Sequence, residues 1–224
     1  MKKIIAVFSI VLILCLAGCY SVESSQSLRP EQPQTARRAY NGPRSTIAVG
    51  QFNNNSSYLN GIFSDGVDRL GSQAKTILIT HLNQTNRFTV LDRDNMEQAS
   101  MEAAIRGEDQ ALMGAAYILT GAVTEFGRKE EASVALFGLL GASRRQVAYA
   151  VVSINVVDIR TTAVVYSVQG AGEYELTNSQ FMGFANYSGY DSTLNGKVLD
   201  LAIREAVDRL AEAIDRGLWR PSGT

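Results

Sequence analysis

The sequence predicts a periplasmic α/β (α+β) domain with two β-hairpins contributing to an oligomeric transmembrane β-barrel. Three observations carry this. Through residues 46–124, apolar residues alternate and then recur with helical spacing, strand after helix after strand, which is the pattern of α/β layer packing. Residues 131–155 and 172–193 are each about the length of two strands of roughly 9–11 residues joined by a turn, the membrane-crossing strand length. The N-terminus carries an export and lipidation signal, which directs the chain to a cell envelope.

The bounds are set by length and charge. A chain of 224 residues holds one domain of ordinary size plus extensions. Its formal net charge of −1 gives no basic field for nucleic acid, so no nucleic-acid partner is expected. Beyond the N-terminus no apolar run is long enough for a transmembrane helix. With 19 glycines against 4 prolines, the composition suits strands and turns more than a helix bundle.

Residues 1–18 read as a lipoprotein signal peptide. Lys2 and Lys3 form the positive end, residues 4–15 the apolar stretch, and Leu16-Ala17-Gly18-Cys19 a bacterial lipobox. Small residues before Cys19 admit the signal peptidase, and the Cys19 thiol is the expected lipidation site. Tyr20 follows, with no Asp there to hold the chain at the inner membrane, so a Gram-negative outer membrane is the expected address. Each buried methylene of an acyl chain such as palmitate contributes about 0.8 kcal/mol, so several chains anchor firmly. Cleavage takes Lys2 and Lys3 from 21 basic residues against 22 acidic, moving the net charge to about −3. It also removes Cys15 and leaves an acylated Cys19, so the fold must stand without disulfides. Residues 19–44 are the lipidated N-terminus and a flexible tether, rich in Ser, Gln and Arg and interrupted by Pro30, Pro33 and Pro43.

Residues 45–130 form the first part of the periplasmic domain. Residues 46–52 alternate as a strand and end in Asn53-Asn54-Asn55-Ser56-Ser57, a loop signal. Val67, Leu70, Ala74, Ile77, Leu78 and Leu82 recur at helical spacing over residues 65–84. A strand over 88–92 follows, then a helix over 94–106 with Asp94 or Asn95 as its cap and Gly107 as its stop. A short helix over 110–114 leads to a strand over 117–124.

Residues 131–155 form the first membrane hairpin, turning at Gly141-Ala142-Ser143-Arg144-Arg145. Residues 151–168 read as strand, turn, strand, with residues 156–171 in the periplasm. Residues 172–197 form the second hairpin, rich in aromatic and amide side chains around Gly183. The residues expected to meet the membrane are Val134, Leu136, Leu140, Tyr149, Leu176, Phe181, Phe184 and Tyr187. Their alternation is blurred: Phe137 and Leu139 share a face with Ser133, and Tyr174 and Leu176 share a parity with Asn178 and Gln180. Surface hairpins or amphipathic helices remain an open alternative for both segments. Residues 198–224 are a C-terminal helix and tail, marked by Val198, Leu201, Val207, Leu210 and Ile214 and stopped at Gly217.

No constellation points to catalysis. His81 is the single histidine, placed near the polar edge of its helix and read as a surface residue. One histidine and a lipidated cysteine cannot make a metal site. Gly66 and Gly71 are followed by Ser72-Gln73 instead of the Lys-Ser/Thr of a phosphate loop, and no nucleophile elbow occurs. Glu130-Glu131 and the Asp92/Asp94 pair read as solvated turns and caps. No catalytic residue, metal or cofactor is expected.

Four stretches resemble one family: residues 46–52, Ile118-Leu119-Thr120-Gly121, residues 151–168, and Ala213-Ile214-Asp215-Arg216-Gly217-Leu218-Trp219. They look like the curli production assembly/transport (CsgG/HfaB) family of outer-membrane secretion lipoproteins, and the likeness covers nearly the whole mature chain. That resemblance implies a homo-oligomeric ring, a nonamer in the family, whose subunits each lend two hairpins to one barrel in outer-membrane lipid. It implies unfolded amyloid cargo crossing without ATP, accessory proteins in the periplasm and at the surface, and a tether wrapped over a neighbour. Asp215, Arg216, Gly217 and Trp219 carry the family's oligomer and C-terminal motif. The family's constriction uses a Tyr and, after three intervening residues, an Asn-Phe pair; near-gapless placement puts Gly61 and Asp65-Gly66 there. Tyr58, Asn60 and Phe63 lie in the same loop and are the constriction candidates, although Phe63 equally reads as a helix-entry staple and Tyr58 as surface. Two functions are open: a secretion channel for fibre or adhesin subunits, or a non-pore envelope scaffold or regulator built on the same domain.

Overall fold

The computed structural model of the protein describes residues 30–58, 67–134, 142–179 and 192–220. From Gln32 onward the chain is one compact unit. Among the described residues, three helices accompany a five-stranded sheet, in which β1 (Ser45–Asn54), β2 (Phe88–Leu91), β3 (Tyr117–Val134), β4 (Ala142–Asp158) and β5 (Val164–Ser179) lie in the order β2-β1-β3-β4-β5. Strand β1 (Ser45–Asn54) buries its first five residues on both faces, as a central parallel strand must. Helix α1 (Arg69–Gln84) starts where Asp68 accepts the Gly71 amide at 2.7 Å, and its Leu70, Ala74, Leu78 and Leu82 stripe is buried. The same carboxylate accepts the Asn54 amide at 2.6 Å, so one side chain fixes both the end of β1 and the start of α1.

Strand β2 (Phe88–Leu91) lies parallel to β1. Helix α2 (Met96–Arg106) stops at Gly107, whose φ of 69° is the left-handed conformation that glycine adopts without penalty. Residues 108–115 then run without helix, against the expected turn of helix at 110–114. Leu112 and Met113 stay exposed there, and five residues cannot nucleate a helix without packing.

Strand β3 (Tyr117–Val134) pairs parallel to β1, and β4 (Ala142–Asp158) and β5 (Val164–Ser179) complete an antiparallel meander. The strand expected at 117–124 and the first limb of the 131–155 hairpin are thus one continuous 18-residue strand. A bulge between Val123 and Glu125 changes which parity faces the core. In the 158–164 turn, the Asp158 carboxylate accepts the amides of Arg160 at 2.9 Å and Thr161 at 3.0 Å. Those bonds hold its pKa below the ordinary aspartate value, the Thr161 amide contributing most.

Helix α3 (Ser192–Asp215) takes the end of the expected second hairpin region, 192–197, into helix. It lies so close to β5 that a Cβ on Gly172 would sit 2.6 Å from the Val198 carbonyl and 2.7 Å from the Ala202 amide. Only hydrogen in place of a side chain permits that approach. Ile47, Leu119, Val123, Val152, Ile154 and Val156 of the sheet meet Leu78, Leu82, Ile203 and Leu210 of α1 and α3 in one core. The opposite face of the sheet carries no comparable layer among the described residues.

His81 corrects an expectation. It is 3 % exposed, with Nε2 at 2.8 Å from Asp200 Oδ1 and Nδ1 at 3.2 Å from Gln84 Oε1. It joins α1 to α3 because the two helices pack side by side, a contact between residues 119 positions apart that helical spacing alone cannot reveal. The tether is also shorter than expected. A 3-10 turn at Gln34–Arg37 belongs to the compact unit, with Thr35 fully buried.

Candidate functional site

Beyond Val123, β3 has no partner on its outer edge among the described residues, because β1 pairs with it only as far as Asn54↔Val123. The meander nevertheless continues: β3 and β4 pair up to Val134↔Ala142, and β4 and β5 up to Ser143↔Ser179. A three-stranded ribbon therefore runs on past the parallel part of the sheet. Phe126, Ala148 and Ala150 are buried at its base. Tyr149 lies across Gly127, where a Cβ would meet its hydroxyl at 2.5 Å, and Lys129 Nζ sits 5.2 Å above the ring. On the neighbouring strand, Tyr174 carries Lys197 Nζ 4.9 Å from its ring centroid. Both pairs are cation–π contacts at one level of the ribbon.

Several expected site residues fall on or near this ribbon. Val134 closes β3, and Leu176 stands opposite Gln146 in the β4–β5 register. Tyr58 packs on Phe126 with ring centroids 4.7 Å apart, and its carbonyl accepts Asn54 Nδ2 at 2.7 Å. The loop leaving β1 therefore starts against the ribbon base, with Tyr58 half-buried there. Cys19, Asn60, Phe63, Leu136, Leu140, Phe181, Phe184 and Tyr187 lie outside the described residues.

Charge along the register limits what the ribbon can meet. Glu131 pairs with Arg145, Glu130 with Gln146, and Ala132 with Arg144. Residues 132–143 and 176–190 carry no Asp, Glu, Lys or Arg.

The C-terminal motif finds its partners inside the chain. Arg87, 1 % exposed, donates from Nε to Asp215 Oδ1 at 2.9 Å and from Nη2 to Asp215 Oδ2 at 2.6 Å. Its Nη1 donates to the Thr35 carbonyl at 3.1 Å, and the Tyr40 ring lies 4.9 Å from its guanidinium carbon. Asp208 accepts the Thr35 amide at 2.8 Å and the Thr35 hydroxyl at 2.7 Å, clamping the incoming tether to α3. Gly217, at φ 69°, reverses the chain after α3, with the Leu218 amide bonded to the Ala213 carbonyl at 2.9 Å. That reversal drops Trp219 onto Phe88, Tyr117 and Tyr166 at centroid distances of 6.3, 5.3 and 6.3 Å. Arg216, exposed, bonds Glu212 one turn back at 3.1 Å. Arg87, Thr35 and Asp208 gave no signal in the sequence, since their partners lie 128 and 173 residues away.

An open cleft of about 590 Å³ lies between β5 and α3, lined by Ser153, Asn155, Ser167, Gln169, Arg209 and Arg216 among others. Its hydroxyls and amides bond each other, Ser167 Oγ to Asn155 Oδ1 at 2.7 Å and Gln169 Nε2 to Ser153 Oγ at 3.0 Å. No histidine or cysteine lines it, so its serines lack the usual activating base. Among the described residues no group of metal-binding side chains gathers, and no helix is long and apolar enough to cross a membrane.

A lipobox, a clamped tether and an α/β layer whose strands outrun its helices define the class: a CsgG-like envelope lipoprotein. The sequence matches the family described as curli production assembly/transport component CsgG over residues 32–223, and the chain belongs to that family. It is 55% identical over 207 residues to a candidate lipoprotein of Neisseria meningitidis serogroup B, covering 92% of each chain. Neither description is that of an enzyme. Among solved structures it is similar to the PelC dodecamer of Paraburkholderia phytofirmans, at 17% identity and a TM-score of 0.35, over 74% of this chain and 87% of that one. It is also similar to a lipoprotein of Neisseria meningitidis, at 16% identity and a TM-score of 0.31, over 78% and 97% of the two chains. Likeness at this level carries nothing about assembly.

Proposed function

We propose that the protein is an outer-membrane lipoprotein, anchored through Cys19 and facing the periplasm, that assembles into a ring and exports unfolded fibre or adhesin subunits through a diffusion-type channel. The observation that carries this reading is the three-stranded ribbon, whose two outer edges have no strand partner among the described residues. Open strand edges survive in lipid only when copies close them into a barrel. The helices and the clamped tether stay at the periplasmic end, and a nonamer follows from the family resemblance. Tyr58, against the ribbon base, starts the loop that supplies the constriction; Asn60 and Phe63 complete the candidate set. A ring of such side chains selects by width and passes extended chains without ATP.

A second reading, a non-pore scaffold or regulator in the envelope, is favoured by the charges at Glu131 and Arg145. If lipid begins only beyond them, each limb has about six residues, roughly 20 Å less the turn, against an apolar band of about 25 Å.

The test is the lipidated protein, extracted from outer membranes in mild detergent, imaged and then reconstituted for conductance. Rings with a lumen that conduct, both lost on Val134→Arg, support the channel, since arginine near mid-bilayer costs about 2–4 kcal/mol per copy. Particles that remain folded and closed, unaffected by Val134→Arg, sink the channel and leave the scaffold.

A further inference from the structure

Among the described residues, helix α2 and one face of the sheet present two apolar surfaces that neither covers within one chain. Helix α2 buries no side chain. Met101 and Ile105, one turn apart, are 62 % and 72 % exposed, and Leu112 and Met113 just beyond are exposed as well. An 11-residue helix with no packed side is marginal in water. On the sheet, Leu119 and Val156 point into the core, so Ile118 and Val157 occupy the other face, where they are paired in register. Val164 of β5, paired with Val157, Val165 at the bulge beside it and Ile159 of the turn extend this into an apolar row across three strands, with Ile118, Val164, Val165 and Ile159 at 36 %, 57 %, 42 % and 45 % exposure. The next row, with Asn155 bonded to Ser167, is polar and bounds it.

Topology says why helix and row belong together. The crossover from β1 to β2 places α1 on the core face, and the crossover from β2 to β3 returns in the opposite direction past β1. Two right-handed crossovers in opposite directions put their helices on opposite faces. Helix α2 is therefore the element that would cover the second face. In this chain it is held off. Lys75 of α1 bonds Asp94 at 2.7 Å, tying the start of α2 to the core-side helix. Arg93 Nη2 donates to the Met113 carbonyl at 2.6 Å, closing the excursion at its own base. Helix α2 leaves the sheet after β2, at one end of the strand order, while the apolar row lies on β3, β4 and β5 towards the other.

We propose that α2 of one copy of this chain packs on the Ile118–Val157–Val165 row of the next copy, a head-to-tail contact of the kind that closes rings. The helix, about 16 Å long, matches a row spanning about 10 Å between its outer strands. Charge agrees in part: Glu97 and Glu102 lie on the helix and Asp109 just beyond it, while Glu108 is already paired with Arg106 at 2.8 Å, and Arg160 stands beside Ile159 at the end of the row. The contact needs no membrane crossing by the ribbon, so it stands apart from the channel reading.

Cysteine cross-linking of the full lipidated protein in detergent tests it. Ile105→Cys together with Val165→Cys should give a ladder of disulfide-linked species on oxidation. A mixture of the two single variants should stop at linked pairs, and each single variant alone should stay unlinked. Ile118→Glu and Met101→Glu should each lower the particle mass measured by light scattering while leaving the far-ultraviolet circular dichroism unchanged. A doubly substituted chain that closes only on itself, or Ile105→Cys linking to its own kind, overturns the proposal, as does an oligomer whose mass neither glutamate changes. An oligomer that cross-links as expected but does not conduct overturns the channel alone.

Discussion

Arg87 has 1 % of its side chain in water and bonds both carboxylate oxygens of Asp215, itself about a quarter exposed. Removing one member of such a pair strands the other. Asp215→Ala should therefore cost about 3 kcal/mol in urea unfolding, the lower end of the range for buried pairs because Asp215 is partly solvated. A loss below half that figure would mean that water replaces the carboxylate. Trp219 belongs at the same scale. It is 5 % exposed among three aromatic rings, and Trp219→Ala should cost about 3–5 kcal/mol, read from the same transition. A near-silent Trp219→Ala would move the residue's purpose from the core to a partner. The sequence marked Trp219 through a family likeness; the rings it meets come from β2, β3 and β5, which only folding gathers.

At the scale of elements, the junction of β5 and α3 depends on what Gly172 lacks. A methyl group there meets the α3 backbone, which cannot yield as a flexible side chain would. Gly172→Ala should lower stability by about 1–3 kcal/mol, the usual cost of overpacking, seen as a lower urea midpoint with an unchanged slope. The 158–164 turn responds to acid. Because its native hydrogen bonds depress the Asp158 pKa, the side chain stabilises the fold above the ordinary aspartate value, and the contribution is lost as pH falls through the depressed native value. The Tm gap between the protein and Asp158→Ala should be constant at neutral pH and close only in strong acid. A gap that persists below the carboxylate range would assign the effect to backbone geometry instead. The strand–turn–strand at 151–168 was legible from alternation, since period-2 patterning and turn residues are local. The helix expected at 110–114 failed because spacing alone does not supply a surface to pack against.

At the scale of the molecule, the helices and core form a base from which the ribbon extends. Its function depends on what covers the open edges. Val134→Arg reports on lipid, and the cysteine pair reports on the neighbouring copy, so the two questions separate. The register sets Arg144 and Arg145 opposite Ala132 and Glu131 inside the ribbon, whereas the sequence placed both arginines in the turn of the hairpin.

The sequence by itself determined the strand–helix–strand–helix order of residues 45–106 and the glycine stops at 107 and 217, because each rests on neighbours within a turn or two. Tertiary structure decided the rest. It buried His81 against Asp200, joined Arg87 to Asp215, clamped Thr35 with Asp208, and made one long strand of two expected pieces. These contacts span up to 173 residues, and burial and ion pairing depend on what packing brings together, not on what stands next in the chain.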